Sequence, residues 1–287
     1  MDTSIALAPA PRDVPLSLRL RLLGGGVLTM IGWLVFGLGL VFASVFVSQA
    51  EPLFGDPFAG EVATIDGTVT RVDETNAKIN NQRVAAVHFD YSVGGRTLSG
   101  VAYTSRSWPE AGATVPVEYV RAKPTTSRIR GMRTAMFPGI VWLVAVIPAI
   151  GAVLVLVGAL LGMRQVKLLR LGQLTRGRLI ESRPTNTTIN NQRVHVLTFR
   201  FQDATGKERE GTVRTHRLAN VTDDAEENLL YDPVGSRIVL WDMLPKRPEL
   251  DRDGQFQALG LPALVPVLLP PTLVAILWSV IGSFFEA

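Results

Sequence analysis

Three long stretches of this chain carry no Asp, Glu, Lys or Arg: between Arg21 and Glu51, between Arg133 and Arg164, and between Asp253 and Glu286. They hold 29, 30 and 32 residues. Each exceeds the roughly 20 mostly apolar residues that cross a bilayer core as a helix. The pattern predicts transmembrane helices over 24–49, 135–163 and 258–285, separating a tail (1–23) and two polar segments (50–134 and 164–257). The first span is clearest at Val27–Val47. Ser48-Gln49-Ala50 after it has the small-x-small pattern of a signal cleavage site, but the apolar run outlasts the 7–15 residues typical of a signal peptide, which favours an uncleaved anchor. In the second span Pro138 and Pro148 are expected to kink the helix. Its Gly158-x-x-x-Gly162 spacing permits close helix approach, although small residues are common enough in membrane helices to favour filler. Pro262, Pro266, Pro270 and Pro271 crowd the third span. The 14 residues from Thr272 to Phe285 are too few to cross alone, so the proline half is expected to lie in the membrane as a kinked or irregular stretch.

The polar segments have a different period. Val87, Phe89 and Tyr91 alternate with His88 and Asp90, and Leu197, Phe199 and Phe201 alternate with Thr198 and Arg200. Period two places one set in a core and the other in water, as in half-buried strands. The two segments also repeat each other. TNAKINNQRV at 75–84 and TNTTINNQRV at 185–194 are identical at eight of ten positions. The match extends to Gly67-x-Val69 with Gly177-x-Leu179, and to Gly95 and Gly100 with Gly206 and Gly211. Asn80-Asn81 and Asn190-Asn191 suit a hairpin turn, because Asn tolerates positive φ better than other non-glycine residues. Val115-x-Val117-x-Tyr119 and Ile238-x-Leu240 read as closing strands, and Asp223-Asp224-Ala225-Glu226-Glu227 as a solvated acidic insertion of the second copy. The expected fold is an integral membrane α plus all-β protein: three transmembrane helices with two duplicated small β-barrel or β-sandwich domains between them.

Composition narrows the function classes. Hydrophobic residues make up 47% of the 287, charged residues only 19%, against about 25% charged in ordinary soluble domains. A single soluble enzyme domain is excluded. Segment 50–135 holds 10 basic and 9 acidic residues, and segment 164–257 holds 16 and 13, so neither is a strongly basic nucleic-acid surface. With no cysteine there is no disulfide, thiolate metal site or cysteine nucleophile. Basic residues near span ends predict orientation. Arg12, Arg19 and Arg21 precede span one, and Lys246, Arg247 and Arg252 precede span three, whereas span two has five basic residues at each end. The N-terminus and the second β copy are therefore expected inside, the first copy and the C-terminus outside.

The tract Val117-Glu118-Tyr119…Pro124…Ser127-Arg128-Ile129-Arg130-Gly131-Met132-Arg133 before span two, with Ile79-Asn80-Asn81-Gln82-Arg83-Val84 and its apolar strand, resembles the bacterial membrane proteins catalogued as domain of unknown function 3592. The resemblance implies a small extramembrane β domain flanked by transmembrane helices, here in two tandem copies, and a bacterial inner membrane location. It brings no reaction and no catalytic residues. The second copy departs at Leu240-Trp241-Asp242-Met243-Leu244-Pro245, where the Val-x-Tyr pattern is lost.

No nucleophile elbow, phosphate-binding glycine loop, dinucleotide fingerprint or HExxH occurs in the sequence. His88, His195 and His216 read as surface histidines, with no metal or other cofactor expected. The repeated Asn80, Asn81, Gln82, Arg83 and Asn190, Asn191, Gln192, Arg193 form the candidate surface motif: two amides and a guanidinium that could hold a ligand or partner backbone, weighed against a turn with an arginine along the surface. The expected function is non-enzymatic, with the β domains binding or scaffolding envelope components. The partners expected are the lipid bilayer and a protein, either another chain or a second copy of this one. The alternative is a membrane-bound hydrolase or transferase, which needs His195, His216 and the Asp223–Glu227 carboxylates gathered in one pocket.

Overall fold

The computed structural model describes residues 6–218, Val221, 226–235, 237–244 and 248–286, the last three as backbone alone. Helices α1 (Leu16–Gly24) and α2 (Val27–Val47) precede a first set of strands: β1 (Val62–Ile79), β2 (Gln82–Val93), β3 (Arg96–Thr104), β4 (Thr114–Val120) and β5 (Lys123–Ile129). A 3-10 turn, Gly139–Ala145, leads into α3 (Val146–Leu171). The second set follows: β6 (Gln173–Ile189), β7 (Gln192–Gln202), β8 (Glu208–Thr215), β9 (Glu226–Tyr231) and β10 (Ile238–Leu240). Helix α4 (Val265–Glu286) ends the chain. Three helical segments, Val27–Val47, Gly139–Leu171 and Val265–Ser283, are long and apolar enough to cross a membrane. Two compact units divide the chain, residues 35–151 with 275–287 and residues 1–34 with 152–274.

The duplication is real in three dimensions. Each copy is one antiparallel five-stranded sheet, in the orders β3-β2-β1-β4-β5 and β10-β9-β6-β7-β8, with the longest strand at its centre. The alternation faces as the sequence predicts: Val87, Phe89 and Tyr91 are buried in the first core with Val117 and Ile129, and Leu197, Phe199 and Phe201 in the second with Leu229 and Leu240. Among the described residues neither sheet closes into a barrel, and neither copy shows the second sheet of a sandwich. In the first copy the edge strands approach without joining: a Cβ on Gly100 of β3 would lie 2.8 Å from Ser127 Oγ of β5. Pro124 withholds an N–H from that edge, and its carbonyl accepts instead from the Tyr91 hydroxyl. In the second copy the three residues of β10 are too few to zip an edge.

Strand pairing corrects the alignment of the copies. Ile65 pairs with Val117 and Ala63 with Tyr119, while Thr175 pairs with Leu229 and Gln173 with Tyr231. The counterpart of Val117-Glu118-Tyr119 is therefore Leu229-Leu230-Tyr231 in β9, not a strand around Ile238. The pattern expected to be lost is kept, shifted by the insertion. Glu226 and Glu227 of the acidic run open β9; residues 223–225 lie outside the described residues.

The substitution of Leu230 for Glu118 changes what covers the sheet. Glu118 accepts from Arg128 Nε at 3.0 Å and Arg130 Nε at 3.1 Å on a partly wet face. Leu230, fully buried, enters a separate core with Val14, Leu18, Leu22, Leu168, Leu169, Trp241, Leu244 and Phe256. The segment expected as a tail is thus part of the second domain. Arg12 is only 4% exposed. Its guanidinium donates to Leu169 O and Gly172 O, both at 2.7 Å, and its N–H to Arg170 O at 2.9 Å. These are the carbonyls a helix leaves unpaired at its C-terminus. Arg12 therefore caps α3, and burial lowers its pKa from the ordinary arginine range.

The helices also depart from expectation. Pro148 lies in the first turn of α3, where a missing N–H costs nothing, so it starts the helix instead of kinking it. Gly158 and Gly162 are not filler. A Cβ on Gly158 would lie 2.2 Å from Thr29 Oγ1, and one on Gly162 would lie 2.4 Å from Leu22 O. The proline-rich stretch is helical from Val265 onward, with Pro270 and Pro271 inside α4.

Candidate functional site

The repeated ten residues build one object twice. Asn80 and Asn81 have φ of 50° and 66°, and Asn190 and Asn191 have 49° and 61°. Two successive left-handed residues make the mirror-image turn that matches strand twist in a two-residue hairpin. Ile79 pairs with Gln82 across it, and Ile189 with Gln192. Below the turn the register slips between Glu74 and Lys78, and between Pro184 and Thr188, leaving extra residues on the longer strand. Threonine fills the gap in both copies. Thr75 Oγ1 donates to Val84 O at 2.7 Å and accepts from Ala77 N at 3.2 Å; Thr185 Oγ1 donates to Val194 O at 2.8 Å and accepts from Thr187 N at 3.2 Å. The threonines carry no signal in a motif search. Their recurrence at one offset in both copies was the available clue.

Asn80, Asn81, Gln82 and Arg83 share one exposed tip, and Asn190, Asn191, Gln192 and Arg193 another. Arg83 lies back along its strand, Nη1 2.7 Å from Glu74 Oε2. The matching acid is absent from the second copy, where Pro184 occupies that place. Backbone geometry accounts for the asparagines and threonines. It does not call for the exposed Gln82, Arg83, Gln192 and Arg193.

The histidines are separate from these tips. In the first copy Asp73 Oδ2 lies 2.8 Å from Arg71 Nε and 3.1 Å from His88 Nε2, beside an open groove of about 440 Å³ that also reaches Asp90 and Ser99. Ser99 donates to Asp90 at 2.6 Å, so its hydroxyl is engaged by that carboxylate. The positions of Arg71 and Asp73 carry Glu181 and Arg183 in the second copy, again ion-paired but with the signs exchanged. A pair kept through a sign reversal is a structural pair of neighbouring side chains on one strand face. His195 Nδ1 is 3.3 Å from Ser182 Oγ, and His216 follows the end of β8.

His195 pairs with Thr215, beside His216, but the described carboxylate Glu226 of the proposed hydrolytic set does not join them. Glu226 pairs with Arg178, Arg178 with Arg200, and His195 lies five residues along β7 from Arg200. At about 3.3 Å per residue, His195 and Glu226 are separated by roughly 16 Å along the strand direction alone. No cluster of three metal-ligating side chains occurs among the described residues.

Comparison with known proteins adds no relative: no family model, no curated protein and no solved structure matches this chain.

Proposed function

We propose that the protein is a non-enzymatic scaffold of the bacterial inner membrane, in which two β domains joined to transmembrane helices hold envelope partners through their hairpin tips. The observation that carries this reading is the repeated tip: an identical Asn-Asn-Gln-Arg sequence, exposed in both copies, on hairpins that share one bulge and one turn geometry. The resemblance to domain of unknown function 3592 is part of the proposal, as is a membrane topology of three crossings. In that topology the first domain lies outside and the second inside. Arg19 and Arg21 near the start of α2 support an inside N-terminus. Lys246 and Arg247, which support an inside approach to α4, lie outside the described residues.

Photocrosslinking residues placed at Gln82 and Gln192 in the native membrane test the assignment, with exposed Thr97 at the start of β3 as control. Reproducible adducts from either tip and none from Thr97 support it, and an adduct of twice the chain mass identifies the partner as a second copy. Tips that give no adduct beyond the control sink it.

A further inference from the structure

The turn between α1 and α2 borders a partly open cavity of about 240 Å³ within one compact unit. Its near wall is Arg21 with the backbone of Gly25 and Gly26, and its far wall is Gly158, Gly162 and Gln165 of α3. The volume falls just below the 300–1,000 Å³ of pockets that take a drug-sized ligand, which suits a headgroup-sized one. Arg21 lines the cavity, while its Nη1 is packed against the turn, out of contact with solvent and without a hydrogen-bond partner among the described residues. The guanidinium rests against Gly25, where a Cβ would come within 3.0 Å of Nη1. A buried donor on a permanent cation is costly to leave unpaired, and among the described residues no carboxylate lines the cavity. The nearest acid in sequence, Asp13, is paired with Arg19 at 2.9 Å. The first amides of α2 add donors that the helix itself cannot satisfy.

Depth gives the ligand its class. Residues 22–50 carry no charge, and neither do residues 134–163 until Arg164. The cavity therefore lies where the apolar runs of α2 and α3 both end, at the level of lipid headgroups if these helices cross a bilayer. The aqueous end of α3 is positive as well: Arg164 follows Met163 directly, and Lys167 and Arg170 lie further along the same helix.

We propose that this cavity binds the phosphodiester of an anionic lipid headgroup, with Arg21 as its charge partner and Gln165 and the Gly26 amide as further donors. The proposal rests on the membrane-spanning part of the functional reading and not on its scaffold part. Full-length protein in mild detergent is titrated with phosphatidylglycerol, phosphatidylcholine, glycerol phosphate or inorganic phosphate, and adducts are read by native mass spectrometry. One tightly held phosphatidylglycerol per chain is expected, in clear preference to phosphatidylcholine. R21Q and Q165E should each weaken it about tenfold or more, the loss of one charge-assisted contact, while R19Q should bind as wild type does. Phosphatidylglycerol binding undiminished in both R21Q and Q165E overturns the site. Glycerol phosphate or inorganic phosphate binding as tightly as the lipid overturns the lipid assignment in favour of a soluble anion. Carbonate extraction of the same variants separates the two failures. A chain released from membranes sinks the spanning reading, whereas a retained chain without phosphatidylglycerol preference sinks only the site.

Discussion

Exchanging Leu230 for Glu, the residue its counterpart Glu118 carries, tests whether the second sheet is buried on both faces. Leu230 is 0% exposed and joins β9 to α1 and the end of α3. Truncating a leucine in such a place to Ala costs about 2–5 kcal/mol. The L230E change adds a carboxylate without the Arg128 and Arg130 that serve Glu118, and an unpaired buried charge adds several kcal/mol more. Against a typical domain stability of about 5–15 kcal/mol, L230A should weaken the second domain and L230E should open it. The reverse change, E118L, removes two partly exposed ion pairs from the first domain and should cost far less. Trp241 is 6% exposed in the same core as Leu230, so the emission of a variant retaining only this tryptophan reports the opening. Limited proteolysis between residues 6 and 24 provides a second readout. The expected results are a red shift and rapid cleavage in L230E, a smaller loss in L230A, and neither in E118L. An L230E protein with wild-type Trp241 emission and a protected N-terminal segment would refute the two-sided core.

Phe89 and Phe199 are each 0% exposed in separate cores, so F89D should expose only the first domain to protease and F199D only the second. Asn81 at φ 66° tolerates a left-handed backbone that a β-branched residue resists, so N81V should lower the melting temperature of the first domain, at about 1–2 kcal/mol, while N81G should not. The Glu118 carboxyl is pushed up by its partial burial, but hydrogen bonds and charge from Arg128 and Arg130 outweigh this and hold it below the usual range. A depressed folded-state pKa contributes stability that is full above the unfolded value and is lost as pH falls through the folded one. Acid denaturation of the first domain should therefore be less steep in E118Q over that interval, with no change in the second. For topology, a phosphatase reporter active only outside should work after Gly55 and at the C-terminus and be silent near Gly206. Activity near Gly206 overturns the orientation, and an inactive C-terminal fusion replaces the third crossing with a re-entrant segment.

The strand faces were legible because Val87-x-Phe89-x-Tyr91 and its counterpart obey a period that only a half-buried strand satisfies. The hairpin turns were legible because two consecutive asparagines have few other uses there. The two-sided burial of the second sheet was not, although Leu229-Leu230-Tyr231 carries the signal: an apolar residue where the first copy has Glu118. Insertion of residues before β9 hid that correspondence by shifting the register between the copies. Arg12 was read as a topogenic charge because its role depends on Leu169, Arg170 and Gly172, more than 150 residues away. Charge counting sees a cation near a span and cannot see a helix end that needs donors. The Gly158–Gly162 seam was missed for a related reason, since a glycine has chemical meaning only once its neighbour is known.

The Arg12 cap ties the order of synthesis to the order of folding. A chain made from its N-terminus completes the first β domain, residues 62–129, while Arg12, Val14 and Leu18 still lack the surfaces they will cover. Their partners emerge only with Leu168 to Gly172, then Trp241 and Phe256, and Leu259 N donates to Ser17 Oγ across an interval of 242 residues. Loops of that length close slowly and leave apolar surface waiting. The second domain is therefore the last part to mature, and the first two dozen residues spend most of translation as its detached piece. A tag or deletion at the N-terminus would be felt some 150 residues downstream, in a domain whose own sequence was left untouched.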